Sequence, residues 1–232
     1  MTPVYEDNHI IIVDKEVGEI VQGDKTGDTP LSETVKQYLK EKYAKPGNVF
    51  CGVVHRLDRP VSGLVIFAKT SKALSRLNRM LAERKIHKTY RAIVQGRPQQ
   101  SEGRLVNWIT QTERNNKSYA HDREVPGSKR AELTYLTLAS GDRYSLIEVS
   151  LITGRKHQIR VQLSAMGNPI KGDLKYGAKR SNPDGGISLR AHRIEFEHPV
   201  SHEQIAVEAP VPADPLWEAL TALAGSSESA SS

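Results

Sequence analysis

Residues 55–67 of the chain read His-Arg-Leu-Asp-Arg-Pro-Val-Ser-Gly-Leu-Val-Ile-Phe. The last four residues form a short apolar run that predicts a buried strand, and Gly63 belongs to the turn before it. Asp58 lies in the preceding loop, with three cationic or basic side chains beside it. Because neighbouring positive charge favours an ionised carboxylate, we expect Asp58 to be charged. Such an aspartate can act as a nucleophile or a general base, or it can simply pair with arginines and fix the loop.

Outside this stretch, the periodicity of apolar residues predicts both helices and strands. Helices are predicted over residues 31–43, 74–81, 159–166 and 216–223, with the third opened by Thr153 and Gly154. Strands are predicted over residues 10–13, 64–67, 88–95, 133–138 and 144–152, with a hairpin turn at residues 140–142. Strands and helices that do not alternate regularly indicate an α+β fold with a mostly antiparallel sheet.

The composition indicates a globular protein with a basic bias. The 232 residues include 33 Lys and Arg against 27 Asp and Glu, which gives a formal net charge of +6. No apolar stretch approaches the roughly 18 residues that a membrane span needs, and the first residues do not resemble a signal peptide. With a single cysteine, the chain is expected to be cytoplasmic. We expect one domain over residues 1–224 and a disordered tail over residues 225–232, which are small and polar.

Basic side chains are concentrated in short segments, which favours an anionic partner. Residues 153–162 place four of them after Gly154, where free backbone N–H groups at a helix start attract anions. Lys156 and Arg160 are expected to share one face of that helix. A further basic stretch covers residues 114–130 and contains Arg114, Lys117, His121, Arg123, Lys129 and Arg130. Forked guanidinium groups suit phosphate oxygens, so the sequence predicts a nucleic-acid partner.

Tyr90 alternates with Ala92 and Val94 on one face of a predicted strand. It is either a core tyrosine or an aromatic platform on which a nucleobase stacks. The sequence contains no glycine-rich phosphate loop, no dinucleotide fingerprint and no pair of histidines at metal-binding spacing. These exclusions leave a reaction carried out by one carboxylate, without a metal or a cofactor. Its substrate is expected to be anionic and to stack on an aromatic side chain.

Three long motifs resemble those of the RluA family of pseudouridine synthases. The first is the His-Arg-Leu-Asp stretch at residues 55–58, which continues into Ser-Gly-Leu at residues 62–64. The second is Lys-x-Tyr-x-Ala-x-Val-x-Gly at residues 88–96, and the third covers residues 151–160 and 167–173. Weaker motifs lie at residues 8–18 and 189–199. The resemblance implies an α+β domain with a long, bent, mostly antiparallel sheet flanked by helices. It also implies an RNA isomerase that converts uridine to pseudouridine and consumes no cofactor.

The resemblance also implies roles for individual residues. Asp58 is the catalytic nucleophile or base at the ribose, Tyr90 packs against the extruded uracil, and Arg160 forms the salt bridge that orients Asp58. Arg56 assists extrusion of the nucleotide, which costs a few kcal/mol. The residues expected to bind RNA are His55, Arg56, Arg155, Lys156, His157, Gln158 and Leu189.

Some positions depart from the family pattern, and some questions stay open. The opening motif reads Lys-Glu-Val-Gly at residues 15–18, and Arg190 replaces a histidine of the closing motif, where it could alter contacts with RNA. We expect a monomer without the separate N-terminal RNA-binding domain of many members. The RNA target is either ribosomal or transfer RNA. The alternatives to the isomerase are a non-catalytic RNA-binding or ribosome-assembly factor and a glycosidase that releases uracil.

Overall fold

The computed structural model describes residue 1, residues 3–112 and residues 114–229. These residues form strands and helices in an arrangement that confirms the predicted α+β class. The strands are β1 Pro3–Glu6, β2 Ile10–Lys15, β3 Gly52–Val53, β4 Ser62–Ala68, β5 His87–Gln95, β6 Glu102–Thr112, β7 Lys117–His121, β8 Lys129–Ser140, β9 Tyr144–Leu151, β10 Leu189–Glu197 and β11 Gln204–Glu208. The helices are α1 Leu31–Lys42, α2 Ser71–Ala82, α3 Gln158–Ala165 and α4 Pro215–Ser229, with a single 3₁₀ turn at Leu174–Tyr176.

The chain divides into two compact units, although the sequence predicts a single domain. Unit 1 comprises Met1–Lys88 and Arg190–Ala209, and unit 2 comprises Thr89–Leu189 and the chain from Pro210 onward. The first boundary falls inside β5, where no Gly- or Pro-rich linker is present to indicate it. None of the helices in the described ranges is long and apolar enough to cross a membrane.

Unit 1 is built on a sheet in which β2 and β4 pair antiparallel from Ile10 opposite Ala68 to Lys15 opposite Gly63. β1 adds to the other edge of β2, and β11 pairs antiparallel with β10. Alternate apolar residues of β2 and β4 pack against α2, whose first turn is capped by the Thr70 hydroxyl accepting from the backbone N–H of Ala73. Residues 10–13 are fully buried, as a strand covered on both faces requires.

Unit 2 is an antiparallel sheet with the strand order β5-β9-β8-β6-β7. The predicted hairpin at residues 140–142 is confirmed, since β8 and β9 pair up to Ser140 opposite Ser145. Trp217 and Leu220 of α4 pack on Ile93 and Leu146. Val161 of α3 packs in a second cluster on the other side of the sheet, at β6 and β8.

The four predicted helices and five predicted strands all occur, but two boundaries differ. Helix α3 begins at Gln158 rather than at residues 153–154, because His157 adopts a left-handed conformation (φ 55°) that a helix cannot continue through. The predicted tail overlaps α4, which continues through Ser229, and the Ser226 hydroxyl donates to the carbonyl of Ala222 within it. The remaining tail residues, 230–232, lie outside the described residues.

Gly63 allows β4 to lie directly against β10. These two strands pair in parallel, with Ser62 opposite Arg190 and Gly63 opposite Ala191. The φ angle of Gly63 is 112°, and a Cβ atom there would lie 2.3 Å from the carbonyl oxygen of Ala191. Only glycine fits this backbone conformation and this approach.

We therefore expect Gly63→Ala to lower the free energy of unfolding by roughly 3 kcal/mol, because strain and overpacking add at one position. Urea denaturation measures the change. Gly23→Ala is the control, since a Cβ at Gly23 meets nothing within 4 Å and its φ is ordinary. We expect the control to change stability by less than about 0.5 kcal/mol. Equal stability of the two variants would contradict the role given to Gly63.

Candidate active site

Asp58 lies on the loop of residues 54–61 that joins β3 to β4 in unit 1. Both ends of the loop are fixed, since β3 pairs antiparallel with β4 and the backbone N–H of Val54 donates to Ile66. The loop closes in a turn where the N–H of Val61 donates to the carbonyl of Asp58 at 3.0 Å. Asp58 is partly buried. The local fold therefore fixes the backbone that carries this carboxylate, at the start of β4.

The buried side chain of Lys15 fixes the Asp58 loop through hydrogen bonds to its backbone. Lys15, the last residue of β2, is fully buried, and its Nζ donates to the carbonyls of Glu16 (2.9 Å), Arg59 (3.2 Å) and Val61 (2.6 Å). Burial lowers the pKa of Lys15 to about 8, against the opposing effect of the negative charges on Glu19 and Asp58. The sequence analysis gave this residue no role. The signal that could have found it is a lysine at a core-facing position, two residues after the buried Val13.

The neighbours of Asp58 differ from the three cations that the sequence suggests. His55 accepts a hydrogen bond at Nε2 from the backbone N–H of Ile66, and burial and the charge of Lys88 lower the pKa of His55 to about 3. It is therefore neutral at physiological pH. Arg59 points to an acidic loop, where it pairs with Asp28 at 2.7 Å. Arg56 is exposed and makes no hydrogen bond or ion pair with any residue that the structure describes.

Arg190, which departs from the family pattern, makes contacts inside unit 1. Its guanidinium is buried and pairs with Asp14 at 2.5 Å, and it also donates to the hydroxyl of Ser62 at 3.2 Å. The longer side chain thus connects β2, β4 and β10 next to Gly63. This contact stabilises the start of the strand that follows the Asp58 loop.

Unit 2 carries Arg160 on helix α3, in a buried ion pair with Asp173. Nε and Nη2 of Arg160 donate to the two carboxylate oxygens of Asp173 at 2.7 and 2.9 Å. This bidentate geometry fixes the plane of the guanidinium. The ring of Tyr176 lies beside it, with its centroid 5.0 Å from the guanidinium carbon. Asp173 and Tyr176 were not predicted as site residues, although a Gly-Asp pair at residues 172–173 belongs to the third motif.

Tyr176 also holds the loop before α3. Its hydroxyl accepts from the backbone N–H of Ser118 and lies 2.8 Å from Nδ1 of His157. Because the oxygen already accepts from Ser118, its own proton is available to Nδ1 of His157. Burial raises the pKa of Tyr176, so the hydroxyl keeps this proton. The left-handed backbone of His157 is thus supported by a side-chain contact.

The other predicted RNA-binding residues of this loop differ in exposure. Gln158 is buried and serves the protein itself, accepting at Oε1 from Thr153 and from the N–H of Arg155 and donating from Nε2 to Glu132. Arg155 is partly exposed and Lys156 is exposed. Lys156 precedes α3, so the expected face shared with Arg160 on one helix does not form.

Tyr90 and Leu189 are both buried, with 6% and 3% of their surface exposed. Tyr90 lies on β5 opposite Val149 and shares its face with Ala92 and Val94, as the alternation predicts. Leu189 is the first residue of β10. In the described ranges, no group of three or more His, Cys, Asp or Glu side chains could hold a metal ion.

Comparisons with known proteins agree with these motifs. The model of a family described as RNA pseudouridylate synthase matches residues 9–165. A protein of Bacillus subtilis (strain 168) named as an uncharacterized RNA pseudouridine synthase, YhcT, is 35% identical over 218 residues, or 91% of this chain and 68% of that protein. The ribosomal large subunit pseudouridine synthase D of Zymomonas mobilis is 32% identical over 221 residues, or 91% of this chain and 69% of that protein.

A solved structure shares the fold. The human RNA pseudouridylate synthase domain containing 4 superposes with a TM-score of 0.78 at 21% identity, over 94% of this chain and 92% of the other. At this identity the likeness concerns the fold alone, and it supports the α+β class of the strands and helices described above.

Lys15→Met tests the anchoring of the Asp58 loop. The substitution removes three hydrogen bonds, and we expect the free energy of unfolding to fall by about 1–3 kcal/mol at pH 7. Because the folded pKa is about 8 and the unfolded value lies near 10.5, the unfolded chain binds more protons between these limits. The stability of the wild type relative to the variant should therefore rise from pH 8 to pH 10.

Urea denaturation at several pH values measures this difference, with Lys36→Met as the control. Lys36 is partly exposed and pairs with the neighbouring Glu33 on α1. We expect no trend in stability over this pH range from the control. A stability difference between wild type and Lys15→Met that shrinks with rising pH would count against a buried, charged Lys15.

Proposed function

The chain belongs to the RNA pseudouridylate synthase family and is an RNA-modifying isomerase, and we propose that Asp58 carries out its chemical step at the ribose of the target uridine. The reaction breaks the carbon–nitrogen bond between ribose and uracil and forms a carbon–carbon bond in its place. The uracil carbon that joins the ribose gives up its proton, and the freed ring nitrogen ends with one. Atoms therefore balance without an added reactant.

Asp58 acts either as the nucleophile that bonds to the ribose or as the base that takes a ribose proton. The observation that supports the proposal is the fixed backbone position of Asp58. Most exposed loop carboxylates are free to move, but the backbone beside Asp58 is held by Lys15 and by the β3–β4 pairing. A positioned group reacts far faster than a mobile one, because the cost of orienting it has already been met by folding.

Tyr90 and Arg160 are the further catalytic residues that we propose. Tyr90 is held on β5 with 6% of its surface exposed, so its ring has a fixed position, and we propose that it packs against the extruded uracil. Arg160 is presented in one orientation by Asp173 and the ring of Tyr176. Its charge is thus available at a fixed point, as electrostatic stabilisation of a reacting anion requires.

Contacts with the RNA backbone are proposed for three cations, of which Arg56 and Lys156 are exposed and Arg155 is partly exposed. Each has a guanidinium or ammonium group that water and phosphate can reach. His55 is neutral and Gln158 makes its hydrogen bonds inside the protein, so we propose that both shape the site. His157 and Leu189 are buried and are assigned the same supporting role.

Ribosomal RNA is the substrate class that we propose. The support is the name of the Zymomonas mobilis relative, which refers to the large ribosomal subunit. Transfer RNA is the alternative that the sequence leaves open. Incubating the protein with unmodified transcripts of each class and mapping pseudouridine distinguishes the two.

Asp58→Ala should abolish pseudouridine formation, because it removes the carboxylate that is proposed to react at the ribose. Asp58→Glu keeps the charge but moves it by about 1 Å, and we expect roughly 100-fold slower turnover. Both variants should bind RNA with nearly wild-type affinity. The measurement is pseudouridine mapping after single-turnover incubation with the transcript that the wild type modifies.

Asp142→Ala, in the exposed hairpin turn between β8 and β9, is the matched control and should retain full activity. Wild-type activity in Asp58→Ala would refute the proposal. Release of free uracil by the wild type, detected by chromatography, would instead indicate a glycosidase.

A further inference from the structure

One face of the β6–β7–β8 sheet carries aromatic and basic side chains together. Trp108 lies directly opposite His121 on one side and Arg130 on the other, and Thr110 lies opposite Tyr119. Residues opposite one another on neighbouring strands share a face of the sheet. We call this the aromatic–basic face, and its members are Arg104, Trp108, Thr110, Lys117, Tyr119, His121 and Arg130.

Three members of the aromatic–basic face are exposed and the other four are partly exposed, while the central residues that alternate with them are buried. Tyr119 is 39% exposed, and the side chains of Arg104 and Arg130 are 63% and 50% exposed. By contrast, Ile109 and Ala131, which point to the other side, are 3% and 0% exposed. The ring of Tyr119 is therefore accessible to a bound partner.

The cations on this face are held in place. Both Arg104 and Arg130 pair with the carboxylate of Glu132, whose side chain is only 2% exposed beneath them. Nζ of Lys117 lies 5.7 Å from the centroid of the Tyr119 ring. Three cations against one carboxylate leave a charge of +2, and each guanidinium keeps N–H donors beyond those used on Glu132.

The face points away from the side of the sheet that carries Tyr90. Tyr90 lies opposite Val149, Val149 opposite Tyr135 and Tyr135 opposite Gly103, so these residues form the other face. Neighbouring strands rotate by about 20–25°, so the sheet turns by roughly 90° between β5 and β7. A chain bound on the aromatic–basic face therefore contacts the side of the unit 2 sheet that faces away from Tyr90.

We propose that the aromatic–basic face binds a single-stranded segment of the RNA substrate. Bases stack on Tyr119 and Trp108, and phosphates bind Arg104, Arg130 and Lys117. Aromatic rings beside cations on an open sheet suit single strands, whose unpaired bases expose both of their surfaces. A duplex presents only its phosphates and would leave the rings uncovered. This inference rests on the proposed function, and it adds a second RNA-binding surface to the contacts proposed for Arg56, Arg155 and Lys156.

The experiment measures binding of a fluorescein-labelled oligouridylate of twelve nucleotides by fluorescence anisotropy from 50 to 300 mM KCl. Tyr119→Ala should weaken binding about fivefold or more, and Tyr119→Phe should restore it because the ring is retained. Lys117→Gln should reduce the slope of log Kd against log salt by about 0.7, the value for one phosphate contact on a single strand. Phe50→Ala, an equally exposed aromatic of unit 1, is the matched control and should bind as the wild type does.

An unchanged Kd for Tyr119→Ala overturns the proposal, as does an equal loss for Phe50→Ala or tighter binding of a duplex of the same length. Ultraviolet cross-linking of a 4-thiouridine oligonucleotide to the wild-type protein covers the case in which Tyr119→Ala fails to fold. Cross-links on residues 102–121 support the proposal, and cross-links confined to other peptides overturn it. Binding is read separately from isomerisation, so a wild type that forms no pseudouridine would refute the proposed function and leave these comparisons valid.

Discussion

The ammonium group of Lys15 is buried where three backbone carbonyls converge, and the position of the Asp58 loop depends on it. Burying a charge is costly unless hydrogen bonds replace its hydration, and an ammonium has three donors for three carbonyls. Two of these carbonyls, those of Arg59 and Val61, belong to the loop itself. A planar guanidinium would not fit this arrangement, and an apolar side chain would leave the carbonyls with fewer partners. Because the buried ammonium needs these carbonyls as hydrogen-bond partners, it holds the backbone of the Asp58 loop in one position.

The same physical solution recurs in unit 2 with different groups. Arg160 is buried and is compensated by both oxygens of Asp173, and Tyr176 supports the guanidinium and the His157 loop together. Breaking a buried ion pair by removing one partner leaves an uncompensated charge, so these groups are interdependent. In each unit, a buried polar contact fixes part of the proposed site: Lys15 holds the backbone of the Asp58 loop, and Asp173 holds the guanidinium of Arg160. The positions of the proposed functional groups therefore depend on the packed strands and helices that carry their hydrogen-bond partners.

The sequence predicts helices and strands whose apolar residues follow a regular period or form one apolar run. It misses strand β10, in which polar residues are buried. Helix α1 and the strand Ile10–Lys15 follow simple apolar periodicities and were predicted close to their observed bounds. Strand β10 was not predicted, because Arg190 and His192 are buried at positions where a pattern shows only polar residues. The start of α3 was misplaced because the left-handed conformation of His157 depends on contacts with distant Tyr176. Lys15 was overlooked for the same reason, since its partners lie 44 and 46 residues away.

The distribution of charge shows why a cluster of basic residues in a sequence overstates the positive charge available to RNA. Arg59 and Arg190 each pair with an aspartate of the same unit, and Arg160, proposed here for catalysis, pairs with Asp173, so none of the three is left to bind the RNA backbone. His55 carries no charge at all, because burial and Lys88 favour its neutral form. The cations that stay available are those without a dedicated internal acid, such as Arg56, or those that share one, as Arg104 and Arg130 share Glu132. Basic residues that are adjacent in the sequence therefore do not necessarily bind RNA together. The fold decides which carboxylate each basic side chain pairs with, and so which of them stay available.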